Sequence, residues 1–417
     1  MLEVGSLISG VEIFELVFGG DGVARLEDGA IVFVPFCAVG DVLTVEITDA
    51  RKNYYKGRIR AIEKAGAGRG AAQCPYYGCC GGCVYQHLTY EAELEAKRAQ
   101  FMSVMRRIGH FENFPELEAF MPSPQRYGYR NKLRLEPIVS KGTLGKGKKG
   151  LPTLEYGFCE RDNRTFFSVK SCPLAAERLN DAIDSEKRCA YAQQNARRER
   201  PYPMTIRMDA SGKCASYFGK AAPNLPWLKE TLLGEEIRVP TGSFWQVNQP
   251  VADGLLNTVR DWLKPLGARA LVDAYGGIGT FSLAFGDLFQ YRVVIESDEQ
   301  AIAAAKLNHE QRGLKGHFVA GTTESSLGNA LCTVTVSETV VVLDPPRTGC
   351  VPSVIGTLHD FKPRHVLYVS CNPATLARDL EQICKGNIYV PKRAAAFDMF
   401  PNTAHFESAV LLSLNIQ

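Results

Sequence analysis

Between residues 237 and 417 the chain alternates apolar runs with helix-forming stretches. The runs are Leu271–Asp273, Arg292–Glu296, His317–Val319, Thr339–Asp344 and His365–Val369, and Asp298–His309 is one of the intervening helices. Near-continuous apolar character, without in-out alternation, marks strands buried on both faces. That pattern predicts an α/β fold with a parallel sheet covered by helices. Ligands in such sheets sit beyond the carboxyl ends of the strands. Asp273, Glu296, Asp344 and Cys371 all fall at such ends, so one crevice is expected to gather them.

The remainder reads differently. Residues 1 to about 64 are all-β: Val11–Val17, Ala30–Pro35 and Asp41–Ile47 are strands separated by turn residues, which suits a small barrel of the oligonucleotide-binding (OB) type. Arg51-Lys52-Asn53-Tyr54-Tyr55-Lys56-Gly57-Arg58 interleaves cations with aromatics. The run suits phosphate pairing with base stacking, and equally a solvated strand pair. Residues 65–73 are small and predict a flexible linker. From Tyr90 to Ile108, Leu94, Arg98, Phe101, Met102 and Met105 recur at helical steps. From about 119 to 236 the pattern is strand-rich and basic, with Lys141, Lys146, Lys148 and Lys149 on an expected hairpin tip at 142–150. Three parts are expected: 1–64, 74–236 with helix 90–108 packing on the catalytic part, and 237–417.

The net charge of +3 imposes no global basic field, so a nucleic-acid partner must be argued from local runs. No stretch reaches the roughly 18 apolar residues of a membrane span. Met1-Leu2-Glu3-Val4-Gly5 lacks the basic start of a signal peptide, so a cytoplasmic protein is expected. In that compartment 13 cysteines favour ligation or catalysis over disulfides.

Asp273-Ala274-Tyr275-Gly276-Gly277-Ile278-Gly279-Thr280 is a glycine turn after the first apolar run. A carboxylate at the end of the next strand, Glu296, is placed to hold ribose hydroxyls. NAD and S-adenosylmethionine (SAM) both fit such a turn. The looser Gly-Gly-x-Gly, joined by Asp344-Pro345-Pro346-Arg347 at the fourth strand, favours SAM.

Cys371 stands where a strand stops and Pro373 opens a helix, a setting expected to lower a thiol's pKa and make it a nucleophile. A methyltransferase needs a nucleophile when its target is carbon 5 of a pyrimidine. Thiolate addition at carbon 6 turns carbon 5 into an enolate carbon that attacks a methyl donor, and a base then removes the carbon-5 proton. Glu407, ahead of the apolar Ala409–Leu412 run, is a candidate base, and His405 is its rival.

Ser370-Cys371-Asn372-Pro373-Ala374-Thr375-Leu376-Ala377-Arg378-Asp379, Asp344-Pro345-Pro346-Arg347-Thr348-Gly349 and Asp398-Met399-Phe400-Pro401…His405-Phe406-Glu407 resemble the RNA uracil-5 methyltransferases, which make 5-methyluridine in ribosomal or transfer RNA. Phe244-Trp245-Gln246-Val247-Asn248-Gln249 resembles their Phe-x-Gln-x-Asn motif. The resemblance covers nearly the whole chain. It implies a Rossmann-like SAM-dependent methyltransferase domain, an N-terminal OB-like TRAM barrel that binds RNA, and a strand-rich iron–sulfur domain. It further implies Cys371 as nucleophile, Glu407 as base, and SAM contacts from Gln246, Tyr275, Gly277, Gly279, Glu296 and Asp344. Thr280 departs from the Asn common in close relatives. A monomer acting on 23S ribosomal RNA is expected, with transfer RNA as the alternative.

Cys74, Cys80 and Cys83, with Cys172 before Pro173, make a four-thiolate set suited to zinc or an iron–sulfur cluster. Cys79 offers an alternative register. The resemblance favours a [4Fe–4S] cluster on Cys74, Cys80, Cys83 and Cys172. Cys37, Cys159, Cys189, Cys214, Cys332, Cys350 and Cys384 lack ligand spacing and are expected to be ordinary buried residues.

Overall fold

The computed structural model describes residues 2–416 except 141–142, 145–147, 150–152, 188–193 and 196–197. Lys141, Lys146 and Cys189 lie outside the described residues. The chain forms two compact units. One takes residues up to Val104 with Phe158–Phe167 and Phe400–Phe406; the other takes Met105–Gly157, Ser168–Met399 and Glu407 onward.

In the first unit, β1 (Leu7–Glu12), β2 (Glu15–Leu16), β3 (Gly22–Arg25), β4 (Ile31–Val34), β5 (Val42–Ala50) and β6 (Tyr54–Lys64) form a six-stranded sheet ordered β1-β5-β6-β4-β3-β2. Alternation in β5 puts Leu43, Val45 and Ile47 into a fully buried core with Val32 and Val34. A side chain at Gly57 would come within 2.2 Å of Val45 Cγ1, so only glycine lets β6 pass β5 there. The segment expected to be a flexible linker is tied down. Buried Asp41 accepts the Gly66 N–H at 2.8 Å and pairs with Arg69 at 2.6 Å, and it also caps Ala38 N at 2.6 Å. Small residues allow the close approach; the carboxylate supplies the fixation. Helix α1 (Tyr90–Arg107) follows the expected span, and its residues to Val104 belong to this unit.

After α1 come β7 (Leu117–Met121), β8 (Lys132–Ser140), the hairpin β9 (Thr143–Leu144) and β10 (Lys148–Lys149), β11 (Thr153–Cys159), the short β12 (Phe166–Ser168) and α2 (Glu177–Lys187), all in the second unit except Phe158–Phe167. It continues with β13 (Met204–Met208), β14 (Cys214–Phe218), β15 (Leu228–Leu232) and β16 (Glu235–Val239). Within it, β11, β8, β13 and β14 pair antiparallel in that order. Helix α3 (Gln249–Leu263) then buries Val251, Leu255, Val259 and Trp262 along one face.

The dominant element is an eight-stranded sheet ordered β19-β18-β17-β20-β21-β23-β22-β7. Its parallel part is β17 (Ala270–Asp273), β18 (Tyr291–Glu296), β19 (His317–Ala320), β20 (Thr339–Leu343) and β21 (His365–Ser370). The five apolar runs are these five strands. They are linked by α4 (Thr280–Ala284), α5 (Glu299–Gln311), α6 (Thr323–Cys332) and α7 (Pro352–Phe361). Helix α8 (Pro373–Ile383) follows β21, then β22 (Tyr389–Phe397) and β23 (Glu407–Leu414), the latter inserted antiparallel beside β21. Asp298 caps α5 by accepting Gln300 N at 2.9 Å, and Asn372 caps α8 by accepting Ala374 N at 3.1 Å ahead of Pro373. No described helix is long and apolar enough to cross a membrane.

Asp41→Ala strands two buried backbone N–H groups and the Arg69 guanidinium together. It should lower unfolding free energy by about 3 kcal/mol or more, read by urea denaturation.

Candidate active site

The strand order reverses at β17, with β18 and β19 on one side and β20 and β21 on the other. The crevice at such a switch point opens above the carboxyl ends of β17 and β20, where Asp273 and Asp344 stand. Asp273 is fully buried, and its Oδ2 accepts Ser282 N at 3.1 Å. Burial pushes its carboxyl up to about 7, opposed by the Ser282 bonds and aided by Glu296. Asp344, half-buried, is also pushed up to about 7 by desolvation and then by the charge of Asp273.

The glycine turn closes around these groups. Gly276 N–H donates to Ile295 O at 2.9 Å, and Gly277 N–H donates to Glu296 Oε2 at 2.9 Å. Gly279 has φ +83°, and a Cβ there would lie 2.8 Å from His309 Cε1. Backbone and carboxylate are thereby brought to one edge, with Thr280 starting α4 behind them.

Cys371 follows the last residue of β21 and precedes the cap of α8. The expected lowering of its pKa does not occur: the thiol is pushed up to about 12. Desolvation is the largest cause, then the charge of Glu407; Arg347 opposes, by charge and by a hydrogen bond to the thiol, and Asp344 adds to the rise. Helix polarity is outweighed because the thiol is sheltered from water between two carboxylates. Glu407, the first residue of β23, is 4% exposed, and burial lifts its carboxyl well above the usual range. Asp344 raises it further and Arg347 counters. The structure thus brings together Cys371, Glu407, Asp344 and Arg347.

Arg347 appeared in the sequence only as part of a motif, yet it is the cation that acts on both Cys371 and Glu407. A second missed group is Asp379. Its Oδ2 accepts the Tyr368 hydroxyl at 2.5 Å and Cys350 N at 2.7 Å, while Arg378 Nη2 bridges its Oδ1 at 2.7 Å and Thr348 O at 2.8 Å. The loop after Asp344 is therefore fastened to the helix after Cys371. Asn372 Nδ2 adds a 3.1 Å bond to Arg347 O. Apart from the adjacent Arg378–Asp379 pair, these contacts span 11 to 30 positions of the chain, so only folding reveals the set.

Of the remaining expected contacts, Gln246 has a buried Oε1 with no hydrogen-bond partner, and its backbone O accepts Asn131 Nδ2 at 2.9 Å. Asp273 Oδ1 is likewise buried and unpaired. Tyr275 engages Cys350 and Thr323, and burial drives its hydroxyl above the ordinary range. Orphaned acceptors beside a glycine turn and a ribose-type carboxylate fit SAM, with its hydroxyls and amino groups as donors. His405 falls in the first unit, edge-on to Phe18 with ring centroids 6.1 Å apart.

Among the described residues no group of three or more His, Cys, Asp or Glu side chains is disposed to hold a metal ion. Cys74 and Cys80 are half-buried, Cys83 is buried and Cys79 is exposed. Successive turns run through the segment, with Tyr77 N–H to Cys74 O at 3.1 Å and Cys80 N–H to Tyr76 O at 2.9 Å. Cys74, Cys80 and Cys83 belong to the first unit and Cys172 to the second, and the chemistry below uses no cluster. Cys332 is exposed, contrary to its expected burial.

Residues 234–415 match the tRNA (Uracil-5-)-methyltransferase family and residues 8–59 the TRAM domain. An uncharacterized RNA methyltransferase of Synechocystis sp. is 29% identical, over 94% of this chain and 93% of its own length. A Bacillus cereus protein described in the same words is 29% identical, over 96% and 95%. The crystal structure of the Pyrococcus abyssi tRNA (uracil-54, C5)-methyltransferase with S-adenosyl-L-homocysteine is similar in fold, with a TM-score of 0.70 and 24% identity over 97% of this chain and 100% of that one.

A thiol pushed up to about 12 is protonated at neutral pH. Its alkylation by iodoacetamide, followed by peptide mass spectrometry, should accelerate about tenfold per pH unit between roughly pH 7 and 9. Because Arg347 lowers and Glu407 raises that pKa, Arg347→Met should slow the reaction and Glu407→Gln should speed it at the alkaline end.

Proposed function

We propose that the chain is an RNA uracil-5 methyltransferase and that it methylates carbon 5 of a uridine in 23S ribosomal RNA through a covalent adduct on Cys371. The observation that carries the reading is the placement of one nucleophile, one buried carboxyl and one cation within electrostatic reach of each other at the carboxyl edge of the sheet.

Each side chain has a task that follows from its surroundings. Cys371, its proton released to solvent, adds as the thiolate to carbon 6 of the uracil, and the electron pair moves to the carbon-4 oxygen. Arg347 stabilises the ionised thiol and the negative charge that develops on the ring. SAM, when bound, would supply the methyl group that carbon 5 takes. Glu407 accepts the carbon-5 proton, the carbon-5–carbon-6 double bond re-forms, and Cys371 leaves. The raised affinity of Glu407 for a proton suits it to that transfer. Gln246, Tyr275, Gly277, Gly279, Glu296 and Asp344 hold the cofactor. The target uridine must leave its stack to expose carbon 6 to the thiol.

The β1–β6 sheet serves as an OB-like RNA grip, with Arg51, Lys52, Lys56 and Arg58 for phosphate and Tyr54 for stacking. The enzyme acts as a cytoplasmic monomer. A transfer-RNA substrate is the second reading, favoured by the description of the matched family.

With RNA and SAM, Glu407→Gln should accumulate an RNA–protein adduct on a denaturing gel, and Cys371→Ala should form none. Methylation by Cys371→Ala would sink the covalent mechanism, and 5-methylcytidine in the digested product would sink the uracil assignment. Methyl transfer to 23S transcripts should exceed transfer to tRNA transcripts by about tenfold or more at equal concentration, the margin of one good recognition contact; the reverse ratio establishes the second reading.

A further inference from the structure

Glu93 and Lys97 are fully buried on α1 and joined at 2.7 Å. Removing two charges from water is costly. An apolar pair of similar volume is commonly as stable or more so, so such a pair calls for a reason beyond stability. Their remaining bonds supply one. Glu93 Oε1 accepts the Asn402 N–H at 2.6 Å, and Lys97 Nζ donates to Phe400 O at 3.3 Å. Both charges therefore hold the backbone of Phe400–Phe406, the loop that leaves β22 and re-enters the sheet at Glu407.

That loop is fixed tightly. Asn402 is fully buried with φ +67°, in the left-handed region, and its carbonyl accepts Val84 N at 2.9 Å and Tyr85 N at 3.1 Å. Thr403 Oγ1 donates to Phe400 O at 2.9 Å. Phe406, the residue before Glu407, is fully buried, edge-on to Phe101 at 6.3 Å and to Phe18 at 6.4 Å. Tyr85 lies beneath Lys97, its ring centroid 5.7 Å from Nζ, and its hydroxyl accepts Gln100 Nε2 at 2.8 Å. A buried backbone held at its apex by two charged side chains and two N–H groups cannot change conformation without breaking several bonds at once.

We infer that Glu93 and Lys97 are positioning residues for the catalytic base, setting the Phe400–Phe406 loop and through it the backbone entry into Glu407. The inference rests on the proposed role of Glu407. Misplacing a proton acceptor by about 1 Å can cost roughly a hundredfold in rate, and the step that suffers is proton removal from carbon 5, after methyl transfer. The fault should therefore appear as accumulated adduct and lowered kcat, with KM for RNA little changed.

The test is Glu93→Leu/Lys97→Met, assayed in single turnover on denaturing gels beside wild type and Glu407→Gln, with circular dichroism melting of each. The expected result is a folded protein whose adduct decays about tenfold to a hundredfold more slowly than in wild type. Glu93→Gln alone keeps an acceptor for Asn402 and should stay within a few-fold of wild type. Wild-type adduct decay in the folded double variant overturns the inference. If the double variant fails to fold, Glu93→Gln/Lys97→Met decides by the same readout; failure of both to fold also overturns the inference, since the pair would then serve stability. Absence of adduct in Glu407→Gln would instead overturn the role of Glu407, so the two failures are told apart.

Discussion

The site depends on burying like charges at one edge of a parallel sheet. Asp273, Asp344 and Glu407 are all sheltered from water and all hold protons more tightly than ordinary carboxyls. Cys371 shares their field and is a neutral thiol at rest. Arg347 is the cation that opposes this accumulation at both Cys371 and Glu407.

Rigidity at that edge comes from connections that cross the strand order. Asp379 ties the Arg347 loop to the helix after Cys371, and Ser408 Oγ bonds Ser370 O at 3.0 Å, tying β23 to β21 next to both reacting residues. Insertion of β23 antiparallel beside β21 sets Ser370 opposite Ser408. Residues one step beyond that pair, Cys371 and Glu407, thereby face the same opening although 36 positions separate them in the chain.

The parallel strands were legible because a strand buried on both faces has to be apolar throughout, and such runs stand out against helical periodicity. The helices at Tyr90–Arg107 and Glu299–Gln311 were legible for similarly local reasons. The linker at 65–73 was misread because small residues signify either freedom or close approach, and Asp41 decides between them. The thiol set Cys74, Cys80, Cys83 and Cys172 rested on spacing together with the family resemblance, and spacing counts donors without orienting them.

By itself the sequence determined the order of strands and helices, the glycine turn, and the residue types able to attack, accept a proton and hold a cofactor. Those properties reside in local composition and spacing. Only the tertiary structure decided the protonation state of Cys371, the pairing of Arg347 with both reacting groups, and the use of the Glu93–Lys97 pair to hold a loop some 300 residues away. Electrostatics and burial depend on distances through space, and a linear chain carries no distances until it folds.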